Sequence, residues 1–312
     1  MADNNEKYRL VTRSDFDGLV CAMILKEIDI IDSIKFVHPK DMQDGKIDTT
    51  ARDITTNLPY AEGVHLAFDH HASEITRLHG THENHIIDPH APSAARVVYN
   101  YYGGKESLPR ISPEIMSAVD KADSAHFSLD DIVNPQGWDL LSFLMDARTG
   151  LGRFKNFGVS NYNLMMDLIA KCIEHPIEEI LQLPDVKERV ELYNEHRELF
   201  KEQIRKCSTV YRNLVVLDLR NEETIYCGNR FMIYVIFPQC NVSIHALWGL
   251  NRQNTVFTVG KSIINNTSKT NIGEIMLGYG GGGHPNAGTC QIDTDKADQV
   301  LQEIIAKINA DG

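Results

Sequence analysis

The sequence predicts an α/β protein of two lobes: an N-terminal, largely parallel sheet flanked by helices, a helical connector, and a smaller C-terminal α/β domain. Three observations carry this. Between residues 8 and about 130, strand-like runs (YRLVT, SIKFV, HLAF) alternate with helix-like ones (LVCAMILKEI, SAARVVYNYY, EIMSAV), the order that builds a parallel sheet covered by helices. From about 131 to 206 the pattern reads mostly helical. Beyond that, LVVLDL, MIYVIF, VSIHALW and TVFTVG read as strands, and DQVLQEIIAKI closes the segment as a helix. The expected domains are 1–185, a connector helix over 186–207, and 208–312. The connector is rich in helix formers and charge, with apolar residues at Val190, Tyr193, Leu199 and Ile204, and is expected to be an exposed bridging helix. No internal repeat is present, and the active cleft is expected between the lobes.

The first strand runs into Ser14-Asp15-Phe16-Asp17-Gly18. Two carboxylates flanking one residue, in a turn relaxed by Gly18, can face neighbouring cations; the competing role is capping of the helix that begins near Leu19. A third carboxylate, Asp53, lies in ARDITTNLPY. The apolar run GVHLAF ends in Asp69-His70-His71, where a strand should stop. The crevice at the carboxyl ends of strands is where open α/β sheets hold ligands and metals. The following histidines, His79, His82, His85 and His90, fall in loop-like sequence and are read as a solvated surface loop. Ser93 is expected to cap a helix whose N-terminus can also face a phosphate. Asp120 and Asp123 follow the helical run PEIMSAV, with His126 nearby. The segment Arg148 to Arg153 reads as a solvated loop, with a phosphate-binding rim of Arg13, Arg148, Arg153 and Lys155 as the alternative. His245, on an apolar strand, is read as a core or cleft histidine.

In the C-terminal lobe, GYGGGGHPNAG, residues 278–288, offers many backbone N–H groups and almost no side-chain bulk, which suits close approach to an anion. A flexible linker is the alternative, but strand-like TVFTVGKSI and AGTCQI and helix-like NIGEIML embed the run. Tyr279 beside it is a candidate for stacking on a base.

The ordered set SDFDG, RDI, FDHH, VDKADSA and GYGGGGHPNAG resembles the DHH phosphoesterase superfamily with its DHH-associated C-terminal domain, over most of the chain. Members include exopolyphosphatase-like proteins, short-RNA and cyclic-dinucleotide phosphodiesterases, a single-strand exonuclease and a manganese pyrophosphatase. The resemblance implies a phosphohydrolase in which 1–185 is catalytic and 208–312 binds substrate. It implies two manganese ions, with Asp53 bridging, Asp15 on one ion, and Asp17, His70 and Asp123 on the other. Asp123 is preferred to Asp120 because Asp123 and Phe127 match the family's spacing of Asp and aromatic. Asp69 and His71 then lie beside the ions or contact substrate, and His71 is placed to bind a non-bridging oxygen or protonate the leaving one. Gly281, Gly282, Gly283, His284 and Asn286 match the substrate clamp, and Lys261 stands where many relatives carry arginine. A mixed carboxylate and imidazole set suits manganese, and no thiolate cluster points to structural zinc.

One departure stands out. Where many members carry a histidine shortly before the first aspartate, this chain has Val11, Thr12, Arg13 and Ser14. Arginine cannot bind a metal. Either one ion site is weakened, or Arg13 holds a phosphate and fewer ions are used; a catalytically weak nucleotide sensor is the rival class.

Composition bounds the rest. The chain of 312 residues is 42% hydrophobic and 24% charged, ordinary for a globular protein, and its formal net charge is −12. That balance disfavours a long-duplex nucleic-acid binder and fits a small anionic substrate: a short single-stranded oligonucleotide, a linear or cyclic dinucleotide, or a nucleotide bisphosphate, with polyphosphate as the anhydride alternative. The start MADNNEKY lacks an apolar leader pattern, no apolar run reaches membrane-spanning length, and six cysteines lack a CxxC pair. A cytoplasmic protein with reduced thiols is expected, with a homodimer as a candidate assembly.

Overall fold

A computed structural model of the chain describes residues 6–78, 80 and 82–312. It divides into two compact units, Met1–His126 with Pro135–Glu191, and Phe127–Asn134 with Leu192–Gly312.

The first unit holds five parallel strands, β1 (Tyr8–Arg13), β2 (Ile31–Val37), β3 (Asp53–Thr56), β4 (Leu66–Asp69) and β5 (His85–Ile87), in the order β2-β1-β3-β4-β5. The order reverses between β1 and β3, which makes their carboxyl ends a topological switch point. The helix that follows β1, Phe16–Glu27, is buried from Phe16 through Leu25. An apolar surface all round requires neighbours on every side, and helices Ala94–Tyr101, Pro113–Asp123 and Asn161–Glu174 supply them. Gly18 makes the strand-to-helix junction possible: a Cβ there would lie 1.9 Å from the Arg13 carbonyl oxygen and 2.8 Å from Thr12 Oγ1. The short strand β5 falls inside a segment read from sequence as loop.

The long helix Pro184–Cys207 is not the exposed bridge expected. Val186, Arg189, Tyr193, His196, Phe200 and Gln203 are buried at alternating spacings of three and four residues, the stripe of a helix packed on one face. Arg189, 1% exposed, is held by the Val159 and Asp185 carbonyls, Glu188 and Asn161, and lies 4.1 Å over the Phe157 ring. The expected connector 186–207 is shared between the two units, whose boundary falls at Glu191 and Leu192. Residues 127–134 go with the second unit, where Phe127 packs on Phe231 and Arg197 donates to the Val133 carbonyl.

The second unit has a mixed six-stranded sheet, β6 (Ser208–Tyr211), β7 (Leu214–Asp218), β8 (Val242–Trp248), β9 (Thr255–Lys261), β10 (Gly282–His284) and β11 (Ala287–Ile292), in the order β10-β11-β9-β8-β7-β6. Only β7 and β8 pair in parallel. Leu214, Val216, Ile244, Ala246, Phe257, Val259 and Cys290 form one core with the helices Ile272–Leu277 and Ala297–Asp311. The run MIYVIF, expected as a strand, is the helix Met232–Ile236. Asn229 Oδ1 accepts the Phe231 N–H at 3.0 Å and starts the turn. Met232, Ile233 and Tyr234 are all buried, so the apolar run carries no period to separate helix from strand.

All six cysteines are free thiols. Among the described residues no helix is long and apolar enough to cross a membrane.

Candidate metal centre

The carboxyl ends of β1, β3 and β4 converge on Asp15, Asp17, Asn57 and His70. Asp15 caps the first helix: its Oδ1 accepts the Gly18 N–H at 3.0 Å and the Asn57 side-chain amide at 3.3 Å, while Oδ2 pairs with Arg13 Nε at 2.8 Å. Two residues on, within the first turn, Asp17 is 3% exposed. Its oxygens accept the N–H groups of Ala94, at 3.0 Å, and Ala95, at 2.8 Å. The helix N-terminus expected to face a phosphate therefore faces Asp17, whose negative charge it favours. Ser93 does cap that helix, accepting the Arg96 N–H and donating to Asp120.

His70 Nδ1 donates to the Ala91 carbonyl at 3.1 Å, which directs Nε2 into the cluster. That buried Nε2 lies 2.9 Å from Asp123 Oδ2, yet no hydrogen bond of acceptable geometry satisfies it. One ligand atom each from Asp17, His70 and Asp123 lies within 4.8 Å of the others, the three-donor group found among the described residues. A buried imidazole nitrogen facing two carboxylates within ligand reach fits a divalent cation. Beside them His71 Nδ1 is 2.6 Å from Asp69 Oδ1, which also accepts the His70 N–H; Asp69 Oδ2 is buried without a hydrogen-bond partner.

The electrostatics agree with a cation site. Burial, then the charges of Asp123 and Asp15, push the Asp17 carboxyl well above its usual range. Burial also raises Asp15, with Arg13 opposing. For His70, burial works against the charged form, but Asp123 and Asp17 outweigh it and raise the imidazole to about 9. Asp123 is lowered, because contact with His70 overcomes burial. A dication would relieve this crowding.

The carboxylate expected to bridge two ions is elsewhere. Asp53 opens β3, pairs in register with Arg9 near the start of β1, and accepts from that guanidinium at 2.6 and 2.9 Å and from the Thr50 N–H at 2.7 Å. It belongs to the amino end of the sheet. The residue at the carboxyl end of β3 is Asn57, which the sequence reading missed. It is 2% exposed, has a left-handed φ of 54°, and carries an Oδ1 that is buried without a hydrogen-bond partner. A strand DITT followed by Asn-Leu-Pro was the available signal.

Asp120 and Asp123 separate cleanly: Asp120 is bound by Arg96 and Ser93, and Asp123 meets His70. His126 is exposed and meets Ser124 at 2.6 Å. Arg148 is half exposed and paired with Asp146, in keeping with a solvated segment, and its charge still helps to hold Asp15 down. His82 stacks on Tyr60, His85 lies in β5 and His90 is exposed; His79 lies outside the described residues. Burial pushes His245 down to about 4.

In the second unit, the glycine run is a built hairpin, β10 and β11. A Cβ on Gly281 would lie 2.1 Å from the Thr289 carbonyl oxygen, and one on Gly283, at φ +156°, 2.3 Å from that of Ala287. These glycines let chain pack on chain, whereas Gly282 faces open space. His284 and Asn286 are exposed, and the Lys261 N–H donates to the Asn286 carbonyl at 2.8 Å. Tyr279 is half-buried against the core, with Lys307 over its ring at 4.5 Å and its hydroxyl donating to Glu303.

No protein-family model matches the chain, and no curated protein matches it. Among solved structures, it is similar to a protein described as the pGpG-specific phosphodiesterase PggH from Vibrio cholerae, with 62% identity, a TM-score of 0.82, and coverage of 98% of this chain and 100% of that one. The DHH domain of a protein described as a member of a family of ribosomal proteins shares the fold at 13% identity and a TM-score of 0.58, over 97% of this chain and 86% of that one. RecJ from Thermus thermophilus, in complex with Mn2+, does so at 14% identity and a TM-score of 0.52, over 98% of this chain and 52% of that one. With near-complete coverage at 62% identity and a carboxylate and histidine centre at the sheet's switch point, the chain belongs to the DHH phosphoesterase superfamily and is a phosphohydrolase.

Proposed function

We propose that the chain hydrolyses the phosphodiester bond of a short linear dinucleotide carrying a 5′-phosphate, of the pGpG type, using manganese. The observation that carries this reading is the full-length similarity to a phosphodiesterase described as specific for pGpG, together with the Asp17, His70 and Asp123 cluster. A divalent ion held by those three residues supplies Lewis-acid polarisation of the phosphoryl group and makes water a better nucleophile. Asp69 fixes His71 through Nδ1, which suits His71 to hand a proton to the leaving oxygen. Arg13, 34% exposed beside Asp15, is suited to hold a non-bridging phosphate oxygen. Lys261, Gly282, His284 and Asn286 are assigned to binding a substrate phosphate. The net charge of −12 supports a small substrate over a polymer. Six free cysteines support a reducing, cytoplasmic setting.

The test is manganese-dependent release of mononucleotide from the 5′-phosphorylated diguanylate by the purified chain, with Asp123→Asn as control and polyphosphate in parallel. Release that vanishes in the control supports the reading. Cleavage of polyphosphate alone, or silence with manganese bound, would sink it.

A further inference from the structure

We infer that this centre takes one divalent ion, and that the Arg13 guanidinium is the fixed second cation beside it. The inference rests on the phosphodiesterase reading above, since it says how a phosphate's charge is met when a second ion has no place.

The first position has three protein donors: Asp17, His70 and Asp123 supply two carboxylates and an imidazole within ligand reach of one another. A second ion next to it would have to sit against Asp15, where the donors carry too little negative charge and a guanidinium is already in place. Asp15 Oδ1 accepts from Gly18 and Asn57, and Oδ2 is paired with Arg13 at 2.8 Å. The strand end that faces Asp15 across the switch point offers Asn57, a neutral amide. The nearest carboxylate in that strand, Asp53, is bound to Arg9 at the strand's other end. One paired carboxylate and one amide dipole do not offset the cost of stripping water from a second dication.

Arg13 supplies the charge that a second ion would otherwise bring. It ends β1 and leads into the turn, its Nε is paired with Asp15, and its side chain is 34% exposed. A guanidinium held at one edge presents the rest of its fork outward, in the geometry that matches phosphate oxygens. Asn57, whose buried Oδ1 lacks a hydrogen-bond partner, keeps Asp15 in place through its amide nitrogen and adds no charge that would draw an ion. Arg13 thus contributes phosphate binding and a permanent positive charge that, unlike an ion, chelators cannot remove.

The experiment is a titration of the purified full chain with manganese chloride, read by calorimetry for stoichiometry and by electron paramagnetic resonance for coupling between ions. One ion per chain with an uncoupled signal is expected. Two ions, or a spin-coupled pair, would overturn the inference. The double substitution Arg13→Ala with Asn57→Asp removes the competing cation and adds a carboxylate, and is expected to raise the count to two; a folded double variant that still binds one ion would contradict the role given to these residues. Arg13→Ala alone is expected to raise KM for the dinucleotide about tenfold or more, with the ion count unchanged, and an unchanged KM would contradict the phosphate contact. The two readings fail separately: two ions in an active phosphodiesterase sinks only this inference, whereas one ion in a protein inert on the dinucleotide sinks only the proposed substrate.

Discussion

Asp17 and Asp53 are both buried aspartates of the five-stranded unit, 3% and 1% exposed, and they have opposite fates. At the amino end of the sheet, Asp53 receives both arms of Arg9 and the Thr50 N–H, and these overcome burial to hold its carboxyl below the usual range. At the carboxyl end, Asp17 receives two backbone N–H groups, while burial, Asp123 and Asp15 drive it well above. One site is saturated within the protein and the other is left short of positive charge. The end of the sheet at which a carboxylate lies thus separates one paired within the fold from one left short of positive charge.

Removing a carboxylate from each end in turn separates these two roles. Asp123→Asn takes charge from the deficient end, and turnover should fall about a thousandfold or more, the several kcal/mol that a bound ion contributes; steady-state kinetics at saturating manganese would show it. Next in size is the pH dependence of ion binding. His70 in the ion-free protein is raised from 6.5 to about 9, so its protonated pairing with Asp123 contributes stability that is fully present below about 6.5 and lost as pH rises through about 9. An incoming ion must displace that proton. Apparent manganese affinity should climb about tenfold per pH unit towards pH 9, and calorimetry in buffers of different ionisation enthalpy should detect the released proton.

At the saturated end, Asp53→Asn should cost about 2 kcal/mol of stability while leaving turnover within about twofold. Because the folded Asp53 carboxyl is lowered from 3.8, its contribution is present above that value and lost as pH falls through the folded one. The melting-temperature gap between wild type and variant should therefore close on acidification. The smallest effect belongs to Asp120→Asn, which loosens the contacts to Arg96 and Ser93 at a cost of about 1 kcal/mol. Its manganese affinity should match wild type, in contrast to Asp123→Asn.

The architecture of both units was legible because alternating strand and helix patterns need no knowledge of contacts. The grouping of Asp15, Asp17, His70 and Asp123 was implied by the motif order of the family resemblance, and strand ends alone pointed only to the segments after β1 and β4. Asp53 misled because its motif order fitted, whereas its place along the strand did not. Three residue steps from Asp53 to Thr56 span about 10 Å, enough to move a side chain from one edge of the sheet to the other. Asn57 was passed over because a neutral amide carries no signal until its buried oxygen is seen without a partner. The packed face of helix Pro184–Cys207 was hidden because Arg189, His196 and Gln203 occupy buried positions, and the apolar residues alone trace a false stripe. In MIYVIF, burial on every side erased the period that separates helix from strand.

A manganese titration of Asp53→Asn by calorimetry decides at which end of the sheet the ion is held. Binding with wild-type stoichiometry and affinity is expected if the ion sits at the carboxyl end with Asp17, His70 and Asp123. Loss of binding in a folded Asp53→Asn protein would place a metal ligand at the amino end and overturn the assignment.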